Sequence, residues 1–321
     1  MEEQFALIAE KIKEAKKILL TAHVGIDGDA IGSLVGMTSY LKKEEKDFVI
    51  ILEKEIPRDF SFLRGLDNTK LLSDFEKSDL ADFDLLIMLD SPKEERTPLI
   101  GFFKEGAKQP PTILMDHHLV CPNNAFLKIV DDQRSSASEI IFDFLKAVKH
   151  EINKHVATAL LCGLSTDTSF FNNPGTNIKS TKTASELIGL GGDYKKITKN
   201  ILQNQNVNYL KFLGDTFGQI IYNEDLNFVS VIITKEDIEK FKLEEGDIKG
   251  VANFLQQNIA SADRFLVIRE GDDGILRGNL RSAKSNIRPL AIFFGGGGHN
   301  KASGFQIAGK IQKENGKIKI I

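Results

Sequence analysis

Histidine and aspartate side chains follow three apolar runs of this sequence, at the point where each run ends. The groups are His23 with Asp27 and Asp29, then Asp90, then Asp116 with His117 and His118. Each run has the length and composition of a buried strand. In an open α/β sheet the carboxyl ends of the strands form the edge where ligands bind, near the point where strand order reverses. We therefore expect these side chains to share one crevice.

A fourth element ends in the same way, with Asp167 between two threonines after the apolar run 159–164. Together Asp27, Asp29, Asp90 and Asp167 would bring four negative charges to the crevice, at a high cost in repulsion and desolvation unless cations are bound. Two divalent ions would neutralise that charge. Aspartate and histidine ligands without thiolates favour Mn²⁺ or Mg²⁺ over Zn²⁺, with Mn²⁺ as our first choice. A metal pair activates a bridging water for attack on phosphorus, so the sequence predicts phosphate ester hydrolysis.

Taken singly, these residues also have ordinary structural interpretations. An aspartate after a strand is most often a helix cap, and Asp29 could cap the helix that follows it. His23 could be a hydrogen-bonded structural imidazole, and the adjacent histidine pair could be incidental. Their joint occurrence favours the metal site. His150 and His155 have no acidic residues at a strand end beside them, and we expect both at the surface.

The first half of the chain alternates apolar runs with helical patterns, which indicates an α/β fold with a mainly parallel sheet and flanking helices. The predicted strands are 17–22, 48–52, 85–89 and 112–115, and the predicted helices are 29–42, 136–148 and 153–164. Ser136 precedes Glu139 by three residues, as in a capping box.

The pattern changes from about residue 181 onward. A polar helical stretch reaches about residue 222, and strands at 228–233, 265–268 and 275–280 with a helix at 247–258 predict a smaller α+β domain. We therefore expect a metal-binding catalytic domain at 1–185, a helical linker at 186–222, and a substrate-binding domain at 223–321 across a cleft from the first.

Composition excludes several classes of protein. The 321 residues carry 42 basic and 45 acidic side chains, and this balance excludes a histone-like nucleic-acid coat. The apolar runs are far shorter than a membrane span. Two cysteines, Cys121 and Cys162, exclude a disulfide framework and a zinc site built on paired cysteines. The N-terminus lacks the features of a signal peptide, and we expect a cytoplasmic protein.

Four segments resemble the four motifs of the DHH phosphoesterase superfamily. They are His23-Val-Gly-Ile-Asp27-Gly-Asp29, the run ending in Asp90, Asp116-His117-His118, and Thr166-Asp167-Thr168. The glycine-rich run 295–305 resembles the signature of the DHH-associated domain. These five matches occur in family order over most of the chain, whose size resembles that of the nanoRNase and pAp-phosphatase group. Ile26 departs from the first motif, which usually has a proline there, so this loop lacks a fixed φ angle.

The resemblance implies roles for these residues. One Mn²⁺ would be held by His23, Asp27 and Asp90. The other would be held by Asp29, Asp90, His117 and Asp167, with Asp90 as the bridge. His118 would face the scissile phosphate, and Asp116 would orient a neighbouring imidazole. The nucleophile would be a hydroxide bridging the metals.

The predicted second domain carries a basic, glycine-rich segment. Between residues 275 and 301 there are five basic residues and no acidic one: Arg277, Arg281, Lys284, Arg288 and Lys301. Glycine amides can approach anionic oxygens closely. The expected substrate contacts are Arg277, Arg281, Ser282, Gly296, Gly297, Gly298 and His299. The alternative is a solvated basic strand with a flexible turn. Phe293 and Phe294 are expected to pack in the core.

These observations predict an Mn²⁺-dependent phosphoesterase that releases nucleoside 5′-monophosphates from very short oligonucleotides, with pAp as a further candidate substrate. The modest basic patch, without a long aromatic groove, fits short substrates. Three alternatives stay open: a dinucleotide phosphodiesterase for cyclic or linear substrates, an inorganic pyrophosphatase, and a non-catalytic nucleotide-binding regulator. The sequence does not decide between RNA and DNA, or the oligomeric state, a homodimer included.

Overall fold

The computed structural model describes residues 1–91, 94–118, 125–173, 175–203, 207–244, 248, 250–271, 273–298, 300–314 and 317–320. The chain divides into two compact units, Met1–Asn204 and Gln205–Ile321. Their boundary lies within the 186–222 segment. In the part of the chain that is described, no helix has the length and apolar character needed to cross a membrane.

A six-stranded sheet organises the first unit. Its strands are β1 (Lys17–Thr21), β2 (Asp47–Leu52), β3 (Thr69–Leu71), β4 (Leu85–Leu89), β5 (Thr112–Asp116) and β6 (Leu127–Val130). They lie in the order β3-β2-β1-β4-β5-β6, and every pairing is parallel. The strand order therefore reverses between β1 and β4, the position at which open α/β sheets bind ligands.

Helices and short 3₁₀ turns cover both faces of this sheet. The helices of the unit are α1 (Glu2–Glu14), α2 (Gly28–Lys43), α3 (Ile100–Lys104), α4 (Ala137–Ala147), α5 (Lys154–Asp167), α6 (Ile178–Gly189) and α7 (Tyr194–Ile201). Along β4, Leu85, Ile87 and Leu89 join the core formed with α1, α2, α4 and α5. Leu86 and Met88 join a second core on the other face. Burial on both faces explains why the central strands are unbroken apolar runs.

Glycines allow α2 and α5 to pack closely. A Cβ atom on Gly28 would lie 2.3 Å from Thr166 Oγ1, and one on Gly32 would lie 2.5 Å from the carbonyl oxygen of Ala159. The two helices are therefore antiparallel, with the start of α2 beside the end of α5. This contact brings Asp29, in the first turn of α2, close to Asp167, the last residue of α5.

The predicted mainly parallel α/β fold is confirmed, with differences at particular residues. The edge strands β3 and β6 were not predicted. The capping box at α4 is half formed, because Ser136 accepts from the Glu139 amide while the Glu139 carboxylate accepts from the Ser135 amide instead. The prediction of a surface position for His150 is wrong: it is 9% exposed, and its Nε2 lies 2.9 Å from Ser39 Oγ. His155 is exposed, as expected.

The second unit contains a mixed sheet with helices. Its elements are α8 (Val207–Gly218), β7 (Ile221–Asn223), β8 (Phe228–Ile233), α9 (Lys235–Lys240), α10 (Val251–Asn258), β9 (Arg264–Glu270), β10 (Ile275–Ser282), α11 (Arg288–Phe293), β11 (Gly297–Gly298), β12 (Ala302–Ala308), β13 (Ile311–Glu314) and β14 (Lys317–Ile320). The main sheet has the order β11-β12-β10-β9-β8-β7, in which only β8 and β9 pair in parallel. The predicted α+β character of this half is confirmed.

The contact between α2 and α5 can be tested with a Gly32→Ala variant. The added methyl group would meet backbone at 2.5 Å, and such overpacking costs about 1–3 kcal/mol of unfolding free energy. Gly101→Ala is the matched control, because a Cβ there has open space and alanine is the better helix former by up to about 1 kcal/mol. Chemical denaturation measures both. Equal unfolding free energies for the two variants would contradict the close-packing account.

Candidate metal centre

Three strand ends bring imidazole and carboxylate groups together in the first unit. His23 follows β1, Asp90 follows β4, and His117 follows β5. The His23 Nε2 atom lies 3.4 Å from Asp90 Oδ2, and the His117 Nε2 atom lies 3.7 Å from Asp90 Oδ1. The edge predicted from the sequence is therefore the place where these side chains converge.

Asp90 is at the middle of the cluster. Its side chain is 3% exposed, and its φ angle of 48° lies in the left-handed region. Aspartate tolerates that region better than most residues, and such strain is commonly found at functional sites. The backbone amide of Asp90 donates to the Met115 carbonyl, so the neighbouring strand β5 fixes this conformation.

Backbone amides at the starts of two helices hold the carboxylates of Asp27 and Asp29. Asp27 is the N-cap of α2 and accepts from the amides of Asp29 and Ala30, at 3.0 and 3.1 Å. Asp29 is fully buried and accepts from the Ala137 and Ser138 amides at 2.6 and 2.8 Å. The partial positive charge of each helix N-terminus thus faces a carboxylate. Asp29 caps α4 rather than its own helix, which the sequence did not reveal.

The end of α5 supplies the remaining carboxylate. Asp167 Oδ2 lies 3.1 Å from His117 Nε2, and Asp29 Oδ2 lies 3.9 Å from the same nitrogen. Asn173 donates to the Asp167 carbonyl at 2.8 Å, which ties the end of α5 to the turn after it. Asp29, His117 and Asp167 form one of three groups of side chains in which the possible metal-ligand atoms all lie within 4.8 Å of one another.

The other two groups share Asp90. One consists of His23, Asp27 and Asp90, and the other of Asp90, His117 and His118. All six side chains predicted as metal ligands therefore fall within these overlapping groups, together with His118.

Asp116 and His118 form a hydrogen-bonded pair. Asp116 Oδ1 lies 2.7 Å from His118 Nδ1 and also accepts from the His118 amide at 2.8 Å. Because the carboxylate is an acceptor, Nδ1 carries the proton, and the ring orientation is fixed with Nε2 directed away from Asp116. This is the arrangement in which Asp116 orients a neighbouring imidazole.

Crowding of like charges shifts the pKa values of the cluster. Burial raises the pKa of Asp29 to about 7, and the charge of Asp90 adds to the effect. Burial and the charges of Asp29 and Asp90 also raise the pKa of Asp167 well above its ordinary value. Burial alone would lower the pKa of His23, but hydrogen bonds with Asp27 and Asp90 raise it to about 10. Without a cation, the cluster therefore favours added protons.

The residues present fit divalent metal ions. Among the described residues, Asp90 Oδ1 is buried without a hydrogen-bond partner, although it lies within 3.7 Å of two imidazole nitrogens. A buried carboxylate oxygen without a donor is costly, and a cation satisfies it. The donor set contains carboxylate oxygens and imidazole nitrogens without sulfur, which suits Mn²⁺ or Mg²⁺.

Arg96 also reaches this cluster and was not predicted. Its guanidinium lies 3.2 Å from His23 Nδ1, and its carbonyl accepts from the Val24 amide at 2.7 Å. It therefore places a cation beside His23 at the edge of the cluster, where a phosphate group could contact it. The sequence signal was weak, since Arg96 follows Asp90 by six positions and lies outside the recognised motifs.

The second unit contains a separate pocket lined by part of the basic, glycine-rich segment. This cavity of about 380 Å³ is lined by Arg269, Arg277, Gly278, Asn279, Gly295, Gly296, Gly304, Phe305 and Gln306. Asp273 forms an ion pair with Arg277 at 2.6 Å, so the positive charge of Arg277 is partly neutralised. Of the residues predicted to contact substrate, Arg277 and Gly296 line the pocket, while Gly297 and Gly298 form β11 next to it.

Other residues predicted to contact substrate lie elsewhere. Ser282 is 1% exposed and its hydroxyl donates to Asp263, so its side chain is held inside the unit. Arg281 donates to Asn253 at 2.7 Å, and burial lowers the pKa of its guanidinium. His299 and Cys121 lie outside the described residues.

The prediction that Phe293 and Phe294 pack in the core is wrong for both residues. The Phe293 side chain is 81% exposed, and its ring meets Phe294 edge-on with centroids 5.1 Å apart. Phe294 is 37% exposed and stacks on Phe305, a residue that lines the pocket, with centroids 4.7 Å apart. A row of three aromatic rings therefore leads from the pocket to the surface.

Comparisons with known proteins agree with these features. Residues 17–164 match the DHH family, N-terminal domain. The bifunctional oligoribonuclease and PAP phosphatase NrnA of Bacillus subtilis is 31% identical over 296 residues, which cover 90% of this chain and 89% of that protein. The protein of the same name from Thermus thermophilus is 28% identical over 312 residues, covering 96% and 89%.

Solved structures share the fold. An exopolyphosphatase-related protein from Bacteroides fragilis has a TM-score of 0.89 and 25% identity, and the match covers 97% of this chain and 92% of that one. The exonuclease RecJ bound to manganese has a TM-score of 0.52 and 13% identity, covering 95% and 89%.

The electrostatics of the cluster predict how the stability of the metal-free protein depends on pH. Asp29, with a folded-state pKa raised to about 7, destabilises the fold as pH rises from about 4 to 7. His23, with a pKa of about 10, stabilises it fully below about pH 6.5 and loses this effect as pH rises through 10. The melting temperature in EDTA should therefore fall between about pH 6 and 9. Saturating Mn²⁺ should raise it most at the alkaline end, and a metal-induced shift independent of pH would contradict this account.

Proposed function

Because the chain belongs to the DHH family of phosphoesterases, we propose that it releases nucleoside 5′-monophosphates from very short oligonucleotides and also dephosphorylates pAp. The chain is a hydrolase of phosphoester bonds within the NrnA-like group. The B. subtilis and T. thermophilus relatives are named for both activities, and this chain matches each over about nine-tenths of its length or more. The substrate class, the metal identity and the residue roles below are parts of the proposal.

One observation supports the proposal most strongly. The buried Asp90 carboxylate lies within 3.7 Å of nitrogens from three imidazoles, those of His23, His117 and His118. His23 and Asp90 also share a group with Asp27, and His117 shares a group with Asp29 and Asp167. Overlapping groups of ligand atoms around one carboxylate fit a pair of metal ions, and such a pair can stabilise both the attacking and the leaving oxygen of a phosphoryl displacement.

We assign the metal ligands from these groups. One ion would be held by His23, Asp27 and Asp90. The second would be held by Asp29, Asp90, His117 and Asp167. When bound, the two Mn²⁺ ions supply a hydroxide nucleophile and neutralise charge that develops on the phosphate oxygens.

His118 and Arg96 act on the substrate directly, and Asp116 is a positioning residue. Asp116 fixes the orientation of the His118 ring through Nδ1, so that His118 would donate a hydrogen bond from Nε2 to a phosphate oxygen as charge develops. Arg96 adds a fixed positive charge beside His23, suited to a phosphate oxygen.

The second unit contributes binding rather than chemistry in this proposal. Its pocket combines Arg269 and Arg277 with glycines that leave space for a ligand. The Gly295 and Gly296 amides donate to the Ile292 and Ala291 carbonyls, so the arginines would supply the contacts to an anion. A pocket of about 380 Å³ has room for about one nucleotide, and the chain as a whole carries a net charge of −3. Few phosphates can therefore be neutralised, which favours short substrates over long strands.

Two other enzymatic activities are tested alongside the proposal. A putative family II inorganic pyrophosphatase from Methanococcus jannaschii has a TM-score of 0.50 and 16% identity, covering 93% of this chain and 96% of that one. That likeness concerns the fold. Cyclic dinucleotides are the second alternative, because they offer the same phosphodiester to the metal centre.

A product time course on end-labelled oligonucleotides from two to about ten residues long tests the substrate class. With Mn²⁺, the rate should be highest for the shortest chains and fall steeply with length. Pyrophosphate and cyclic dinucleotides, assayed in parallel, should be slower. Asp90→Asn should lower the rate by at least about 10³-fold, since it removes the negative charge of a carboxylate proposed to be shared by both ions, whereas the exposed control Asp132→Asn should retain it. Equal rates at all lengths would contradict the proposal.

Phe293 is proposed to stack on a base of the substrate. Stacking on an aromatic ring contributes about 1–3 kcal/mol per base, so Phe293→Ala should raise KM for a dinucleotide by about five- to a hundred-fold and leave kcat nearly unchanged. Tyr222→Ala, another exposed aromatic of the unit (43%), should change neither. An equal rise in KM for a phosphate substrate that has no base would exclude stacking as the cause.

A further inference from the structure

A cavity in the first unit lies away from the metal centre. Its volume is about 660 Å³, and it is lined by Val35, Thr38, Ser39, Lys42, Ile56, Leu63, Arg64, Gly65, Leu66, Asp67, Asn153, His155 and Val156. A smaller cavity of about 180 Å³ shares Leu63, Arg64 and His155 with it, and adds Phe62, Lys154, Thr158, Gly191, Asp193 and Lys196. We call the two together the distal pocket.

The distal pocket is at the opposite ends of the helices that carry the metal-centre residues. Helix α2 has Asp29 in its first turn and Lys42 in its last, and α5 has His155 in its first turn and Asp167 at its end. At about 1.5 Å per helical residue, these pairs are about 18–20 Å apart along the helix axes. A ligand in the distal pocket would therefore not contact the metal centre.

The distal pocket has an excess of positive charge. Lys42 is paired with Asp67 at 2.9 Å. The remaining fixed charges are Arg64, Lys154 and Lys196 against Asp193. Among the described residues, neither Arg64 nor Lys154 has a carboxylate within ion-pair distance. Side chains carry this charge, because the α5 amides of His155 and Val156 already donate to Asn153.

The larger cavity has an apolar wall behind these cations. Val35, Ile56, Leu63, Leu66 and Val156 line it. Lys196 lies over the Phe62 ring at 5.6 Å in the smaller cavity, which directs a cation toward an aromatic surface. Ligand pockets typically measure about 300–1,000 Å³ and combine apolar walls with a few polar groups. The chemistry therefore suits a small anion with a flat apolar part and a phosphate.

We propose that the distal pocket is a second ligand site, which binds a nucleoside monophosphate independently of the metal centre. The base packs against Leu63, Leu66 and Val156, and the phosphate is held by Arg64 and Lys154. Lys196 completes the positive rim. The site goes beyond the proposed catalytic function, because its recognition groups are shared neither with the metal centre nor with the glycine-rich pocket of the second unit.

His155 provides a reporter for this site alone. It lines both cavities and is exposed, and the chain has six histidines, so its ring-proton NMR signal can be assigned with a His155→Gln variant. AMP is titrated into the full chain in EDTA, which removes divalent ions and so prevents turnover. The His155 signal should shift with saturation, and adenosine or ribose 5-phosphate should need at least about tenfold higher concentration for the same shift.

The double variant Arg64→Gln with Lys154→Gln should weaken AMP binding at the His155 signal by at least about tenfold. Lys70→Gln, an exposed lysine of β3, is the matched control and should leave the binding curve unchanged. Melting curves of each variant establish that it is folded.

Three results would overturn the proposal. The first is a His155 signal that does not move when AMP is added. The second is a double variant that binds AMP as tightly as the parent protein. The third is ribose 5-phosphate that binds as tightly as AMP. The last result would indicate a site for phosphate without recognition of the base. None of these measurements depends on hydrolysis, so a failure of the proposed catalytic function would be seen separately in the oligonucleotide assay.

Discussion

Repulsion among buried carboxylates is the constraint that organises this structure. Asp29 is fully buried, Asp90 is nearly so, and Asp27 and Asp167 lie close to them. A buried negative charge is tolerated only when fixed donors or cations surround it. The fold places the N-termini of α2 and α4 at this point, so that backbone amides face two of the carboxylates. The imidazoles of His23, His117 and His118 lie beside the same carboxylates.

The same constraint explains where the backbone is strained. Asp90 has a left-handed φ angle at the end of β4, and three successive residues after α5, Ser169, Phe170 and Phe171, have φ angles of 50°, 58° and 65°. Non-glycine residues adopt this region at a cost, which the surrounding structure must offset. Close packing of α2 on α5, permitted by Gly28 and Gly32, contributes to that support. Strain and tight packing thus occur beside the residues that must be held in place.

The sequence predicted the central strands and the acidic cluster because both follow from local pattern. Strands β1, β2, β4 and β5 are buried on both faces and appear as apolar runs, with their polar residues at the ends. The edge strands β3 and β6 escaped notice because each includes a lysine and has few buried residues, which is typical of strands at a sheet edge. The hydrogen bonds to Asp29 could not be predicted, because their donors are backbone amides 108 and 109 residues away. His150 has charged neighbours in the sequence, yet Ser39 and Tyr40 enclose it.

The division of the chain near Asn204 separates two kinds of residue. In the part of the chain that the structure describes, the clustered acidic and imidazole groups precede this boundary, and the glycine-rich pocket with its aromatic row follows it. Under the proposed function, substitutions in the later half would alter which molecule is bound without disturbing the groups before the boundary. An ancestral protein of this form could acquire new substrates through drift in one half while selection preserved the other. Such independence would make the architecture a favourable starting point for evolutionary diversification.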